Sequence, residues 1–397
     1  MPLLRRILPG RPLTAGLAAV ALAFLWQALT VRYNYGGNWT GLFCTGANQA
    51  VPRDLAGEEI FALPNSFGYD GQFYHYVAHD PLGRGKLAGY VDVPRLRYTR
   101  ILVPGLAYLL AAGQPRYIDA AYFIVVLLCV FLGTYWLGCF AELHQHPPAW
   151  GLLFLVFPAS PISIDRMTMD VALAALWVGF AVLWKLGRER WMLLILVLAP
   201  LVRETGLALV AAYCLWSISR RAYGKAALSV AATVPFAAWS LYMWSVFPPY
   251  HAGWMATSPL RGLPAAVDYL VFSPWTTAIG GLAASANLLA AVGSLAAVAL
   301  AFRFGVRPFG GLLEAAIALQ GALGVVMALL GSPDLWFHVY GHARYLTPLL
   351  VLLAWRALAR RTWSDLTPLA LVTPAVGLQF ASHAWRILRG ISSGVIG

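Results

Sequence analysis

Ile118–Phe140, IDAAYFIVVLLCVFLGTYWLGCF, is an apolar run of 23 residues. One helical crossing of a bilayer takes about 20 such residues, so this run reads as a full transmembrane span. The rest of the chain has the same character. Of 397 residues, 60% are hydrophobic and 11% charged, and the mean hydropathy is +0.68. Soluble domains carry roughly 25% charged residues, so the composition excludes an ordinary soluble globule and implies an all-α polytopic membrane protein. Sixteen Trp, eighteen Tyr and nineteen Phe suit a chain with two water–lipid interfaces.

The formal charge of +12 does not point to nucleic acid. The basic residues fall singly or in pairs beside apolar runs, as at helix ends facing an anionic leaflet. Cys44, Cys129, Cys139 and Cys214 form no CxxC pair, and the last three lie in apolar runs. Neither a disulfide framework nor a cysteine metal site is implied.

Toward the N-terminus from the opening run lies the apolar portion of Arg100–Leu110, too short to cross a bilayer. It reads as an interfacial helix over residues 101–113, with Arg97 and Arg100 at its start. Before it, residues 32–100 form one large extracytoplasmic loop rich in Gly, Pro, Asn and charge. Arg5, Arg6 and Arg11 precede a further apolar run, about Thr14 to Val31, followed by no A-x-A cleavage site. That run reads as a retained first helix with a cytoplasmic basic flank.

Toward the C-terminus, apolar segments recur at about 149–163, 169–185, 191–203, 205–219, 226–247, 281–302, 309–330, 345–359 and 366–385. With the two earlier spans these give roughly eleven crossings, the shortest tilted or partly re-entrant. The chain then forms a single integral membrane domain over 1–397, with residues 117–397 supplying the remaining helices. A second outer loop, about 248–280, holds Pro248, Pro249, Trp254 and Trp275. A third, about 331–344, holds Asp334, His338, His342 and Arg344. This topology puts fourteen Lys and Arg inside, Arg307 among them, against six in the short outer segments. The bias places the N-terminus in the cytoplasm of a cell that has this protein in its inner membrane.

The polar residues at membrane depth or the outer boundary are Asp70, Asp80, Arg97, Arg100, Asp165, Arg166, Asp170, Arg203, Glu204, His338, His342 and Arg344. A charge at the centre of a membrane helix costs roughly 2.5–3.5 kcal/mol on insertion scales, so such groups face one another or a wet cavity. Asp70 stands in Gly68-Tyr69-Asp70-Gly71-Gln72-Phe73-Tyr74, a carboxylate between two glycines and among aromatic rings. Simpler roles exist for each. Asp70 could cap a short helix from about Gly71 to His79, Asp80-Pro81 could end it, Asp165-Arg166 and Asp170 could pair locally, and Arg344 could snorkel. His75 and His79 have the i, i+4 spacing of metal ligands on one helix face, but no third ligand accompanies them in the sequence.

Chemistry separates the enzymatic readings. A glycosidase needs two cooperating carboxylates because its sugar leaving group must be protonated. A lipid phosphate leaves as a stable anion, so one carboxylate base suffices. Arginines in a low-dielectric site then stabilise the phosphate charge.

A first helix, a large outer loop with an Asp, an interfacial helix and many further spans resemble the GT-C superfamily of polyprenyl-phosphate-sugar-dependent glycosyltransferases. Gly68–Tyr74, His79-Asp80-Pro81, Arg97-Tyr98-Thr99-Arg100-Ile101-Leu102 and Arg203-Glu204-Thr205 resemble a bacterial branch related to the PIG-V mannosyltransferases and to cell-surface glycopolymer proteins. The resemblance implies a GT-C-type fold and an inverting transfer from a polyprenyl-phosphate sugar donor to a glycan or glycolipid acceptor, with Asp70 as base. Arg97, Arg100, Arg203 and Arg344 are expected at the donor phosphate, with Glu204, His342, Tyr69, Gln72, Asp80, Asp165, Arg166 and Asp170 as further site candidates. No cofactor is required by these residues, and a divalent metal is left open. Two competing expectations are a flippase of lipid-linked sugar and a noncatalytic subunit of a glycan-assembly complex.

Overall fold

The computed structural model describes residues 10–52, 55, 57, 59–249, 261, 262, 264, 267, 268, 278–305 and 311–395. Trp254 and Trp275 of the second outer loop, and Arg5, Arg6 and Arg307 of the orientation count, lie outside the described residues. The described residues are 79% helical with almost no strand, so most of their backbone hydrogen bonds close within helices, as a lipid environment demands.

The first part of the chain runs α1 (Gly10–Asn34), β1 (Thr45–Gly46), β2 (Ala62–Leu63), α2 (Asp70–His79), α3 (Pro94–Thr99), α4 (Leu102–Leu110) and α5 (Pro115–Leu143). The two strands pair in parallel, Thr45 opposite Ala62. Then follow α6 (Ala159–Arg166), α7 (Asp170–Lys185), α8 (Glu189–Val202), α9 (Leu207–Ser219), α10 (Tyr223–Ala231) and α11 (Val234–Val246). The last part comprises α12 (Ala278–Gly305), α13 (Leu312–Leu330), α14 (Asp334–Phe337), α15 (Val339–Arg360), α16 (Thr367–Gln379) and α17 (Ala381–Val395). Proline opens both α3 and α5, where its missing N–H costs nothing and its fixed φ suits the first turn.

Five described helices are long and apolar enough to cross a membrane: Arg11–Asn34, Pro115–Leu143, Tyr223–Val246, Gly280–Phe304 and Leu312–Leu330. A sixth arises if the 3-10 segment Pro148–Val156 and α6, bent by 63°, count as one. This is an all-α membrane protein, and five or six such helices replace the roughly eleven crossings expected. The difference is one of length. The other apolar stretches are helical, but α7, α8, α9 and α16 have 16, 14, 13 and 13 residues. α15 has 22 residues but spends its first turns on His342 and Arg344, so its hydropathy is low. The expected interfacial helix is α4, nine residues long, about 13 Å at 1.5 Å per residue. It leaves Leu106, Leu109 and Leu110 exposed.

α5 lies at the centre of the first half, packed against α1, α4 and α7. α2 rests on α4 and α5, while α15 packs against α6, α7, α12 and α13. α15 starts at Val339, so His342 and Arg344 sit on a helix and not in the loop expected to carry them. Buried Phe154, Phe157, Trp177 and Phe180 fill the interior. Among apolar helices in lipid such contacts hold mainly through dispersion and close fit.

Candidate functional site

Both glycines of the Gly68–Tyr74 motif are required by the backbone. Gly68 has φ +75, a left-handed conformation that costs other residues about 1–2 kcal/mol. At Gly71 a Cβ would overlap the carbonyl oxygen of Arg166, so only glycine lets the start of α2 sit against the end of α6. Tyr69 occupies the N-cap position in extended conformation without a side-chain cap bond. Asp70 is the first residue of α2, one residue earlier than the helix was expected to begin. It therefore does not cap the helix, and its carboxylate lies in the first turn, where the helix dipole favours negative charge. Gln72 fastens the motif to the small sheet: its Oε1 accepts from Gly46 N at 3.1 Å and its Nε2 donates to Phe67 O at 2.9 Å.

From Asp70 a closed ring of charged groups runs through four other elements. Arg97 Nη2 of α3 donates to Asp70 Oδ1 at 2.9 Å, and Arg344 Nη1 of α15 donates to Asp70 Oδ2 at 2.7 Å. Arg344 Nε lies 3.7 Å from Asp170 Oδ2, and Asp170 pairs with Arg203. Arg203 Nε is 3.9 Å from Glu204 Oε1. Glu204 accepts from Arg100 Nε at 2.9 Å and from Arg100 Nη2 at 2.5 Å, a bidentate pairing that fixes direction as well as charge. The Tyr74 hydroxyl closes the circle, accepting from Arg100 Nη1 at 3.1 Å and Arg97 Nη1 at 3.2 Å. Asp92 binds Arg97 from outside at 2.8 and 2.9 Å. Arg203 also lies over the Tyr345 ring, 3.9 Å from its centroid.

Arg97, Arg100, Arg203 and Asp170 are buried, and Asp70 is partly open. Burial works to raise the Asp70 carboxyl, but the guanidinium charges of Arg97 and Arg344 overcome it and hold the group well below the usual carboxylate range. Both Asp70 oxygens are engaged by arginine, so neither is free for an incoming hydroxyl in this state. The ring nevertheless has spare donors. Arg203 Nε and Nη2 and Arg344 Nε are buried and find no hydrogen-bond partner among the described residues. Leaving such donors without a hydrogen bond is costly, and an anion is the kind of partner that spare guanidinium N–H groups accept.

Beside the ring an apolar cavity of about 780 Å³ is lined by Arg95, Glu204, Leu207, Phe236, Leu241 and Trp244. Glu204 thus belongs to both the ring and the cavity wall.

The remaining candidates are distributed around this centre. Arg166 lies over the rings of Tyr69 and Tyr340 at 4.9 and 4.7 Å, and the Tyr69 hydroxyl donates to Tyr340 O at 3.3 Å. Asp80 accepts from Arg84 N at 3.2 Å and Gly85 N at 2.7 Å, closing the turn after α2. Asp165 faces α1 and α17, accepting from Trp26 Nε1 at 3.0 Å and meeting His383 Nδ1 at 3.2 Å. His342 is buried against Ser294 Oγ at 2.8 Å and stacks on Trp336. Gln72, Asp80, Asp165 and His342 therefore make no contact with the ring.

Tyr74 is a ring member that the sequence did not single out, Asp92 braces the ring from outside through Arg97, and Tyr345 packs on it. Tyr74 was within reach, because it ends the quoted motif four residues after Asp70, on the same helix face. His75 and His79 do have a third group at hand, correcting the expectation that they lack one. It is Asp119, from the second turn of α5, with donor atoms of all three residues within 4.8 Å of one another. Family models, curated proteins and solved structures were all compared with the chain, and none matches it.

Proposed function

We propose that this protein is an inverting glycosyltransferase of the GT-C type. It moves a sugar from a polyprenyl-phosphate donor to a hydroxyl of a cell-surface glycan or glycolipid on the extracytoplasmic face of the inner membrane. The observation that carries the reading is the set of unpartnered guanidinium N–H groups of Arg203 and Arg344, held in the same ring as Asp70. The adjoining apolar cavity suits a lipid chain whose charged head ends at that ring.

In this reading the donor phosphate accepts from Arg203 and Arg344 and draws Arg344 away from Asp70. The carboxylate is released and its proton affinity rises toward an ordinary value. Asp70 then takes the proton of the acceptor hydroxyl while that oxygen attacks the anomeric carbon from the opposite face. The bond from carbon to phosphate oxygen breaks and its electron pair stays on the phosphate, where the guanidinium groups stabilise the added charge. The base thus becomes competent only once the donor is in place. No metal is needed for this sequence of steps.

The test is turnover by the purified full-length chain in detergent, with polyprenyl-phosphate sugars and a panel of glycan acceptors. A flippase has no two sides to work between in detergent and gives no product. Asp70→Asn is expected to abolish transfer while donor binding persists. Full activity in that variant, or no product from the wild type with any donor, would sink the assignment.

A further inference from the structure

The second cluster of titratable groups in the N-terminal region lies at the opposite end of α2 from Asp70 and takes no part in the ring. His75 and His79 are one helical turn apart and point their Nε2 atoms at the same oxygen, Asp119 Oδ1, at 2.8 and 3.1 Å. His75 is fully buried, and its ring is held by parallel stacking on Phe43 with centroids 3.9 Å apart. Asp119 is 8% exposed, and its second oxygen, Oδ2, is buried without a hydrogen-bond partner among the described residues, as is His75 Nδ1.

Hydrogen bonding alone accounts poorly for this arrangement. Two donors compete for one carboxylate oxygen while the other oxygen, which is as good an acceptor, has none. A buried carboxylate oxygen left unpaired is costly, and a cation held by the carboxylate and both imidazoles would lower that cost by offsetting the buried negative charge. The two imidazole-to-carboxylate distances are also close to those around a bound ion, and all three donor atoms lie within 4.8 Å of one another. Ligands at about 2.0–2.1 Å from a tetrahedral ion sit about 3.3 Å apart, so the two Nε2···Oδ1 separations need to open by only a few tenths of an ångström.

We propose that His75, His79 and Asp119 form a binding site for a zinc-class divalent ion, with two imidazoles and one carboxylate as protein ligands and the fourth position open. Two imidazoles favour a borderline first-row ion over magnesium or calcium, which prefer all-oxygen shells. Asp119 also lines a cavity of about 650 Å³ between α1 and α5, whose wall includes Asn38, Glu59 and Arg116. This cavity gives the ion a route in and gives its open position room for water. The ion would tie the outer-loop helix α2 to the membrane helix α5, and its stabilising effect would follow from binding the folded state alone. The site stands apart from the proposed transfer chemistry and does not rest on it.

The test uses the full chain, purified through a tag that contains no histidine, stripped with a chelator and titrated with Co²⁺ in detergent. The wild type is expected to take up one equivalent with the visible absorption of a four-coordinate cobalt centre, to release it on addition of Zn²⁺, and to melt at higher temperature with Zn²⁺ than without. In His79→Gln the apparent affinity should fall at least about a hundredfold, because loss of a supporting outer-shell group alone costs 10–100-fold. Monodispersity on gel filtration reports whether that variant is folded. Absence of saturable cobalt absorption in the wild type overturns the proposal whatever the variant does. So does cobalt binding that His79→Gln leaves unchanged.

Discussion

The two ends of α2 satisfy buried charge in opposite ways. At the Asp70 end, cations and carboxylates alternate around a closed circuit, and both Asp70 oxygens are engaged. At the His79 end, two imidazoles crowd on one oxygen of Asp119 while its twin has no partner among the described residues. In the first case the excess lies in arginine donors, and in the second in an acceptor. The ring is therefore suited to receive an anion and the clasp to receive a cation, although one ten-residue helix supplies side chains to both.

Asp70→Asn breaks the contrast most severely. It removes the proposed base and leaves Arg97 and Arg344 facing a neutral amide, and the proposed transfer is expected to fall by roughly two to four orders of magnitude, the range for loss of a general base. Cobalt binding at the far end of α2 should remain, measured on the same preparation. Arg203→Ala comes next. It removes the closer of the two cations beside buried Asp170 and leaves it only Arg344 Nε at 3.7 Å, and breaking a buried ion pair costs up to about 3–5 kcal/mol, read as a lowered thermal midpoint. Arg203→Lys should recover part of the stability but not donor use, because an ammonium lacks the planar fork.

Gly71→Ala tests how the two ends are seated. Its Cβ would push the start of α2 away from the Arg166 carbonyl, at about 1–3 kcal/mol for overpacking. Tyr74→Phe removes the one uncharged link in the ring and is expected to cost about 1 kcal/mol, with a weakened response to donor.

The smallest expected effect is that of pH. The folded-state pKa of Asp70 lies below its unfolded value, so its contribution to stability is complete above the ordinary carboxylate value of about 4. That contribution is lost only as pH falls from there toward the folded value. Between pH 6 and 8 the resting Asp70 stays ionised, and a midpoint in free-enzyme stability within that interval would belong to another group.

The apolar segments were legible because lipid selects for long runs of nonpolar side chains, and the stretches read as crossings are helical. The lengths were legible as well, since 169–185, 191–203 and 205–219 are the helices Asp170–Lys185, Glu189–Val202 and Leu207–Ser219, and the error lay in counting helices this short as crossings. Hydropathy also joined short pieces at 149–163, where the 3-10 segment Pro148–Val156 meets α6, and at 366–385, where α16 gives way to α17. Within the site, residue type and expected side singled out Asp70, Arg97, Arg100, Asp170, Arg203, Glu204 and Arg344, which do share one ring. Their pairing was hidden, because Arg344 reaches Asp70 across 274 residues and Arg100 reaches Glu204 across 104. Gln72 and Asp80 carry the same polarity but spend it on backbone groups, which no residue-type argument distinguishes. Asp119 did leave a signal: it is the one charged residue in Ile118–Phe140, and an acid placed in such a run marks a partner or a ligand.

The seating of α2 has a mechanical consequence. A ten-residue helix is a stiff strut about 15 Å long, and Gly71 removes the slack at its N-terminal bearing. A displacement that a ligand imposes at one end therefore reaches the other without being absorbed by bending. Any ion bound by the histidines and any anion held by the arginines would then share one moving part. By linkage, whatever free energy the first lends to the second is returned in equal measure.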